Sequence, residues 1–354
     1  MQHYKLAVII GRHQISHAGH ELLKHKALEI ADQVLIIIGS SFQARNPKNP
    51  FNWEERREMI LSTLTETEKQ RTFCRPIRDY YNDKKWNAEV KRIVSEYSKH
   101  DVVLVGHKKT GNNDTYYLDN FAEWTYLGIE SSVQVSASEL RAIYFESEDM
   151  DVSLLAINDL ILPPVKQFLK AWSLRSDYAE QVKEYNKIKQ EQALWDGSPY
   201  DVIFSTADAI VKMQDHVLLG KRKYRPGKGL WAIPGGFIEK NESVLKAALR
   251  ELKEETKIGL MDETLMNGFK AVKVFDHPKR SCRGRFITHA HLFDLTAENF
   301  PDIQAADDLQ EVAWVPIANL SKMEEQLFED HFHILDEFLG LLHSSGEVAS
   351  YCRE

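Results

Sequence analysis

Cysteine is scarce in this sequence: three in 354 residues, Cys74, Cys282 and Cys352, far apart and without metal-ligand spacing. A sparse, odd set excludes a disulfide framework and fits a reducing compartment. No apolar run is long enough to span a bilayer, and the N-terminus lacks a leader pattern. Internal repeats and low-complexity tracts are absent as well. Cations are in the minority, 45 Lys and Arg against 53 Asp and Glu, for a net charge of −8. That disfavours a broad nucleic-acid face, although Lys221-Arg222-Lys223 is a local cluster suited to phosphate. The 43% hydrophobic content supplies ample core, and the length predicts two domains or more. The expectation is a soluble cytoplasmic protein with small-molecule partners, no nucleic acid and no membrane. Its oligomeric state, homo-oligomer included, is left open.

The most informative stretch is Gly236 to Leu260. A Pro234-Gly235-Gly236 turn leads into a helix on which Glu251, Glu254 and Glu255 fall at i, i+3 and i+4, on one face. Like charges at that spacing destabilise an isolated helix. An oxygen-rich cluster suits a hard cation such as Mg²⁺, which bridges to phosphates. A solvated acidic face would read the same way, so the flanking residues decide. Gly236, Glu242, Arg250, Glu251, Leu252, Glu254, Glu255 and Ile258 stand at the spacing of G-x5-E-x7-R-E-U-x-E-E-x-G-U, where U is aliphatic. The segment therefore resembles the Nudix hydrolase signature, with Lys257 in place of the final glycine. The resemblance implies an α+β Nudix domain with Mg²⁺ or Mn²⁺ held by Gly236, Glu251, Glu254 and Glu255. Arg250 would orient the glutamates, and Asp307 or Asp308 is a candidate base.

The other end of the chain has a different pattern. Leu6–Ile10 reads as a buried strand, a helix follows from about Glu21 to Ala31, and Val34–Ile38 is a second buried strand: a βαβ unit, whose ligands bind beyond the strands' carboxyl ends. His17 and His20 sit between the first strand and the helix, near free backbone N–H groups and the positive helix end, a place that attracts phosphate. Two polar residues at an N-cap would look alike. The whole loop, with Gly11, Arg12, His17, Gly19 and His20, resembles the G-R-F-x-P-x-H-x-G-H loop of the nucleotidylyltransferase superfamily; His13 and Ile15 replace its Phe and Pro. Val135-Ser136-Ala137-Ser138-Glu139-Leu140-Arg141 resembles that superfamily's second motif. Asn49-Pro50-Phe51 with Arg56 resembles the archaeal-type nicotinamide mononucleotide adenylyltransferases. Asn52 and Glu55 also form a capping box, which needs no ligand.

The resemblance implies a Rossmann-like domain with a parallel sheet that joins ATP to nicotinamide mononucleotide, giving NAD and pyrophosphate. It would bind ATP through Gly11, Arg12, His13, Gly19, Ser136, Ser138 and Arg141, with His17, His20 and Arg141 catalytic. Asn49, Phe51, Arg56 and Trp124 would meet the mononucleotide, Trp124 in an aromatic stretch with Tyr116, Tyr117 and Phe121. Expected domains are 1–175 for the nucleotidylyltransferase, 176–199 a helical connector, 200–342 the Nudix hydrolase and 343–354 a tail, with a closing helix near Met323–Leu342. FDHPKRSCRGRF, residues 275–286, resembles segments of ADP-ribose pyrophosphatases, which implies hydrolysis of ADP-ribose to AMP and ribose 5-phosphate. The alternatives are a Nudix domain that senses ADP-ribose without cutting it or cuts another nucleoside diphosphate derivative, a different nucleotidylyltransferase, and a chain with one dead site.

Overall fold

The computed structural model describes residues 2–80, 82–108, 118–130, 136–146 and 149–342. Tyr116, Tyr117, Val135 and the tail 343–354 lie outside them. By its internal packing the chain divides into two compact units, Met1–Lys183 and Glu184–Glu347. Among the described residues, no helix is long and apolar enough to cross a membrane.

The first unit runs β1 (Tyr4–Gly11), α1 (Ala18–Ile30), β2 (Ala31–Ile38), α2 (Trp53–Ser62), α3 (Glu66–Lys69), β3 (Thr72–Pro76), α4 (Asp83–Ser95), β4 (Val102–Lys108), a 3₁₀ turn (Leu118–Phe121), β5 (Thr125–Glu130), α5 (Ala137–Glu146), α6 (Met150–Ala156) and α7 (Pro163–Trp172). The strands form one sheet in the order β3-β2-β1-β4-β5, parallel throughout. Unbroken runs such as Val34 to Ile38 are fully buried, as a sheet covered on both faces requires. The order reverses between β1 and β4, which puts a ligand crevice beyond the carboxyl ends of those two strands. Asn52 and Glu55 form the expected capping box at α2.

Helix α8 (Ser176–Ala193) contains the boundary between the units. The second unit continues with β6 (Ile203–Met213), β7 (His216–Arg222), β8 (Trp231–Ala232), β9 (Gly235–Phe237), α9 (Val244–Thr256), α10 (Asp262–Gly268), β10 (Phe269–Phe275), β11 (Arg285–Leu295), β12 (Leu309–Pro316), α11 (Ile317–Leu320) and α12 (His331–Leu339). Its sheet runs β10-β11-β6-β7-β12, with β8 on β7 and β9 on β6, and is mixed, since β11 and β6 are parallel while the other pairs are antiparallel. Ala207, Ala209 and Val211 of β6 pack against Ala247, Ala248 and Leu252 of α9, which fixes that helix across the sheet.

Two expectations about helix ends meet the structure differently. The closing helix is not continuous over 323–342: a 3₁₀ turn at Glu324–Gln326 precedes α12. The break arises because the Phe328 N–H donates to the Trp231 carbonyl at 2.8 Å and Leu327 bridges Trp231, so this stretch pairs with β8 instead. Helix α9, by contrast, ends where the glycine signature would end it. Lys257 caps it in the left-handed region, φ 47° and ψ 30°. A side chain there costs about 1 kcal/mol relative to glycine. Lys257→Gly is therefore expected to raise the unfolding free energy of this unit by about 1 kcal/mol, read as a rightward shift in a urea melt; a leftward shift would mean the Lys257 side chain stabilises the cap.

Candidate active sites

In the first unit the loop between β1 and α1 lies at the switch point. His17 is the N-cap of α1, and His20 sits in its first turn rather than on an exposed loop. The Gly19 N–H donates to His17 Nδ1 at 3.2 Å and the His17 N–H to His20 Nδ1 at 3.3 Å. With both Nδ1 atoms accepting, each neutral ring carries its proton on Nε2. His20 lies against His13 and His17, with ring centroids 4.2 and 4.0 Å away. Gly19 lets this happen: a Cβ there would stand 3.0 Å from His17 Cε1 and 3.3 Å from His107 Nε2.

His107, at the end of β4, thus completes a group of four imidazoles. Only the sheet order, with β4 beside β1, brings it next to His17. Burial, followed by the charge of His107, lowers His17 to about 4. Burial and neighbouring cations hold His13 and His20 well below the ordinary histidine value. Both ring nitrogens of His13 are buried without a hydrogen-bond partner. His13 and Ile15, which depart from the motif, hold left-handed backbone with φ 50° and 80°.

Arg141, 5% exposed, donates to the Gln14 carbonyl and to Ser138 Oγ, each at 3.0 Å. Gln14 in turn clasps the Phe51 backbone, donating to its carbonyl at 3.0 Å and accepting its N–H at 3.1 Å. The three motifs thus converge through Gln14, which sequence reasoning missed because nothing in its type marks it. Ser136 caps α5, its Oγ accepting the Glu139 N–H.

Phe51 and Arg56 depart from the direct mononucleotide contact expected of them. Phe51 is buried against Trp172, Phe168 and Tyr144. Arg56 is also buried and donates to the carbonyls of Arg12, Gly39 and Ser40. Both hold the loops in place from beneath, and backbone acceptors are invisible to a motif. Gly11 closes β1, its carbonyl accepting the Gly39 N–H. Asn49 is buried and donates to Gln43. Trp124 stacks flat on Phe121, 4.8 Å between centroids and 4° between planes, and is half-buried.

In the second unit Arg250 is the hub. Its guanidinium donates to Glu242, Glu251, Glu254 and the Phe237 carbonyl at 2.7–3.1 Å. Glu255 accepts the Gly235 N–H at 3.0 Å. Burial, only partly offset by that bond, pushes its carboxyl up to about 8. Burial raises Glu251 as well, against the Arg250 interactions. A Cβ on Gly236 would lie 2.5 Å from Glu251 Oε1, so a side chain there would push that carboxylate aside. Asp307 and Asp308 lie close enough to raise Glu251 and Glu255 respectively.

Among the described residues, no three His, Cys, Asp or Glu side chains form a ready metal cage. Arg250 accounts for this by holding Glu251 and Glu254. The donors nevertheless fit a hard divalent cation: buried Glu255 and half-buried Glu251 offer carboxylates whose charged form burial disfavours, and a cation relieves that cost.

A group of four imidazoles at the switch point of a parallel sheet, and a carboxylate helix face over a mixed sheet, define a chain with a nucleotidyl-transfer fold joined to a Nudix fold. Residues 8–142 match the cytidylyltransferase-like family and 204–338 the NUDIX domain family. A nicotinamide/nicotinic acid mononucleotide adenylyltransferase of Acinetobacter baylyi is 38% identical over 42% of this chain and 79% of its own length. An ADP-ribose pyrophosphatase of Methanocaldococcus jannaschii is 33% identical over 37% of this chain and 70% of its own. The crystal structure of a bifunctional NMN adenylyltransferase/ADP ribose pyrophosphatase from Francisella tularensis, complexed with AMP and a manganese ion, is 34% identical. It covers 95% of this chain and 99% of its own, with a TM-score of 0.86. The chain belongs to that family of bifunctional NMN adenylyltransferase/ADP-ribose pyrophosphatases, whose Nudix half depends on a divalent metal.

Proposed function

We propose that the first unit transfers the adenylyl group of ATP to nicotinamide mononucleotide, releasing pyrophosphate, and that the second hydrolyses ADP-ribose to AMP and ribose 5-phosphate. The observation supporting this reading is the pair of polar groups, the Nε2–H donors of His17 and His20 with Arg141 near the switch point of one unit and the carboxylate face of α9 in the other. In the first, the mononucleotide phosphate attacks the α-phosphorus in line, so the protein's task is positioning and neutralising charge. The Nε2–H groups of His17 and His20 face the phosphates, joined by Arg141 and the Ser138 hydroxyl. Gly11, Arg12, His13, Gly19 and Ser136 line the ATP side. Asn49 and Trp124 face the mononucleotide, while Phe51 and Arg56 support the loops.

In the second unit Glu251 and Glu255 would hold Mg²⁺ or Mn²⁺, with Gly236 beside them and Glu254 nearby in the grip of Arg250. The ion supplies Lewis-acid stabilisation of the diphosphate and an activated water. Arg250 keeps the carboxylates oriented, and Asp307 and Asp308 are the candidate bases. NAD formation from ATP and nicotinamide mononucleotide, and AMP release from ADP-ribose with each metal, test the two halves separately. Tight ADP-ribose binding without AMP release would replace the hydrolase by a sensor.

Trp124 offers a ring backed by Phe121. Trp124→Ala is expected to raise the KM for the mononucleotide about tenfold, the worth of one stacked ring, and to leave that for ATP nearly unchanged. Equal effects on both substrates would make Trp124 a packing residue.

A further inference from the structure

Beyond the carboxylate face, the second unit holds two arginines in an unusual setting. Arg222, at the end of β7, lies 4.2 Å from the centre of the Phe328 ring. Arg283, in the loop before β11, lies 5.4 Å from the same ring and 4.2 Å from that of Phe286. Like charges gathered on one ring repel, and burial and Arg283 both weaken the hold of Arg222 on its proton. Glu329, Glu255 and Asp308 offset this in part; Arg283 pairs with Glu329 at 3.4 Å, while Ser281 donates to the other oxygen of that carboxylate. The Arg283 Nε–H is buried with no hydrogen-bond partner. Arg222 spends its own Nε–H on the Pro226 carbonyl at 2.9 Å.

The position of this pair gives it a direction. Phe328 packs against Gly227 and is bonded to β8 just before the glycine turn. The charge of Arg222 reaches Glu255 and counters its burial. Beside the pair stands an aromatic row: Phe286 and Phe204 stack at 4.8 Å, and half-exposed Phe237 lies about 6 Å from each. Phe237 follows Gly236 directly. An acidic helix face, two guanidiniums crowded on one ring and an aromatic row therefore adjoin one another.

We infer that Arg222 and Arg283 form an anion clamp for the phosphates of a nucleoside diphosphate derivative, held opposite the carboxylate face of α9. A guanidinium packed on an aromatic face keeps its edge free to donate to phosphate oxygens and loses little freedom in doing so. The phosphates carry negative charge before and during reaction, so the clamp contributes binding common to both states and its loss falls on KM. This inference rests on the Nudix reading of the unit and adds the residues that hold its substrate.

The test uses the full-length protein with ADP-ribose. Arg283→Gln and Arg222→Gln are each expected to raise KM about tenfold or more, as loss of a charge-assisted hydrogen bond does, with kcat changed little. Arg283→Lys, which keeps the charge but not the fork, falls between. Thermal stabilisation by ADP-ribose should shrink in the same order. KM and thermal shift equal to wild type in both Gln variants overturn the clamp and leave the hydrolase standing. A wild type that releases no AMP, but whose ADP-ribose shift Arg283→Gln removes, ends the hydrolase reading and supports the clamp. If Arg283→Gln melts early, Arg222→Gln and Arg283→Lys carry the comparison, and wild-type KM in both overturns the clamp.

Discussion

Glu255→Gln is expected to abolish ADP-ribose hydrolysis while leaving the metal-free protein at least as stable as wild type. The two effects share one cause. Burial raises the Glu255 carboxyl from 4.5 to about 8. Below the unfolded value it is protonated in folded and unfolded chains alike, and folding carries no penalty. As pH rises from there to about 8 the unfolded chain ionises first, so native stability falls across that window at up to ~1.4 kcal/mol per unit. Gln keeps the shape and cannot ionise, so metal-free melting should become flatter with pH. A divalent ion favours the ionised carboxylate, so it should restore wild type near neutral pH and leave the variant largely unaffected. Hydrolysis loses the ligand that positions the ion, a loss of about 10³-fold or more. NAD synthesis should persist, since its residues lie in the other unit. AMP release and melts from pH 5 to 8, with and without Mg²⁺, check this; retained hydrolysis would exclude Glu255 as a ligand.

The second large effect concerns His20. His20→Ala is expected to lower kcat for NAD formation about 10²–10³-fold, the range seen when one donor to a developing charge is removed. The cost in stability should be near 1 kcal/mol, because the lost interactions are one long capping bond and ring packing. The same histidine group sets an acid limit. His17, neutral in the fold down to about 4, is protonated in the unfolded chain below about 6.5. Its contribution is intact above that value and is lost as pH falls through about 4. Turnover unchanged in His20→Ala, with folding intact, would remove His20 from the reaction.

What was legible in the sequence was whatever depends on spacing along one element or one loop. Glu251 and Glu255 share a face because a helix has 3.6 residues per turn, and the switch-point loop follows from buried runs separated by a helix. The capping box of Asn52 and Glu55 was legible for the same reason. Less legible was whatever depends on neighbours far apart in the chain. His107 joins His17 only because β4 lies beside β1. Phe51 and Arg56 carry motif letters, yet their partners are ring faces and carbonyls that any sequence could supply. The closing helix was misread because an apolar, helix-compatible stretch was claimed by an open strand edge at Trp231.

The loop between β1 and α1 has a thermodynamic consequence. Ile15 is buried in a backbone conformation that β-branched residues rarely adopt, at a cost of about 1–3 kcal/mol. The burial of that side chain offsets the strain of its backbone. The conformational entropy of this loop is lost during folding, before any nucleotide arrives. The heat-capacity change on ATP binding should then reflect the surface the ligand itself covers, without the larger signature of a segment ordering around it.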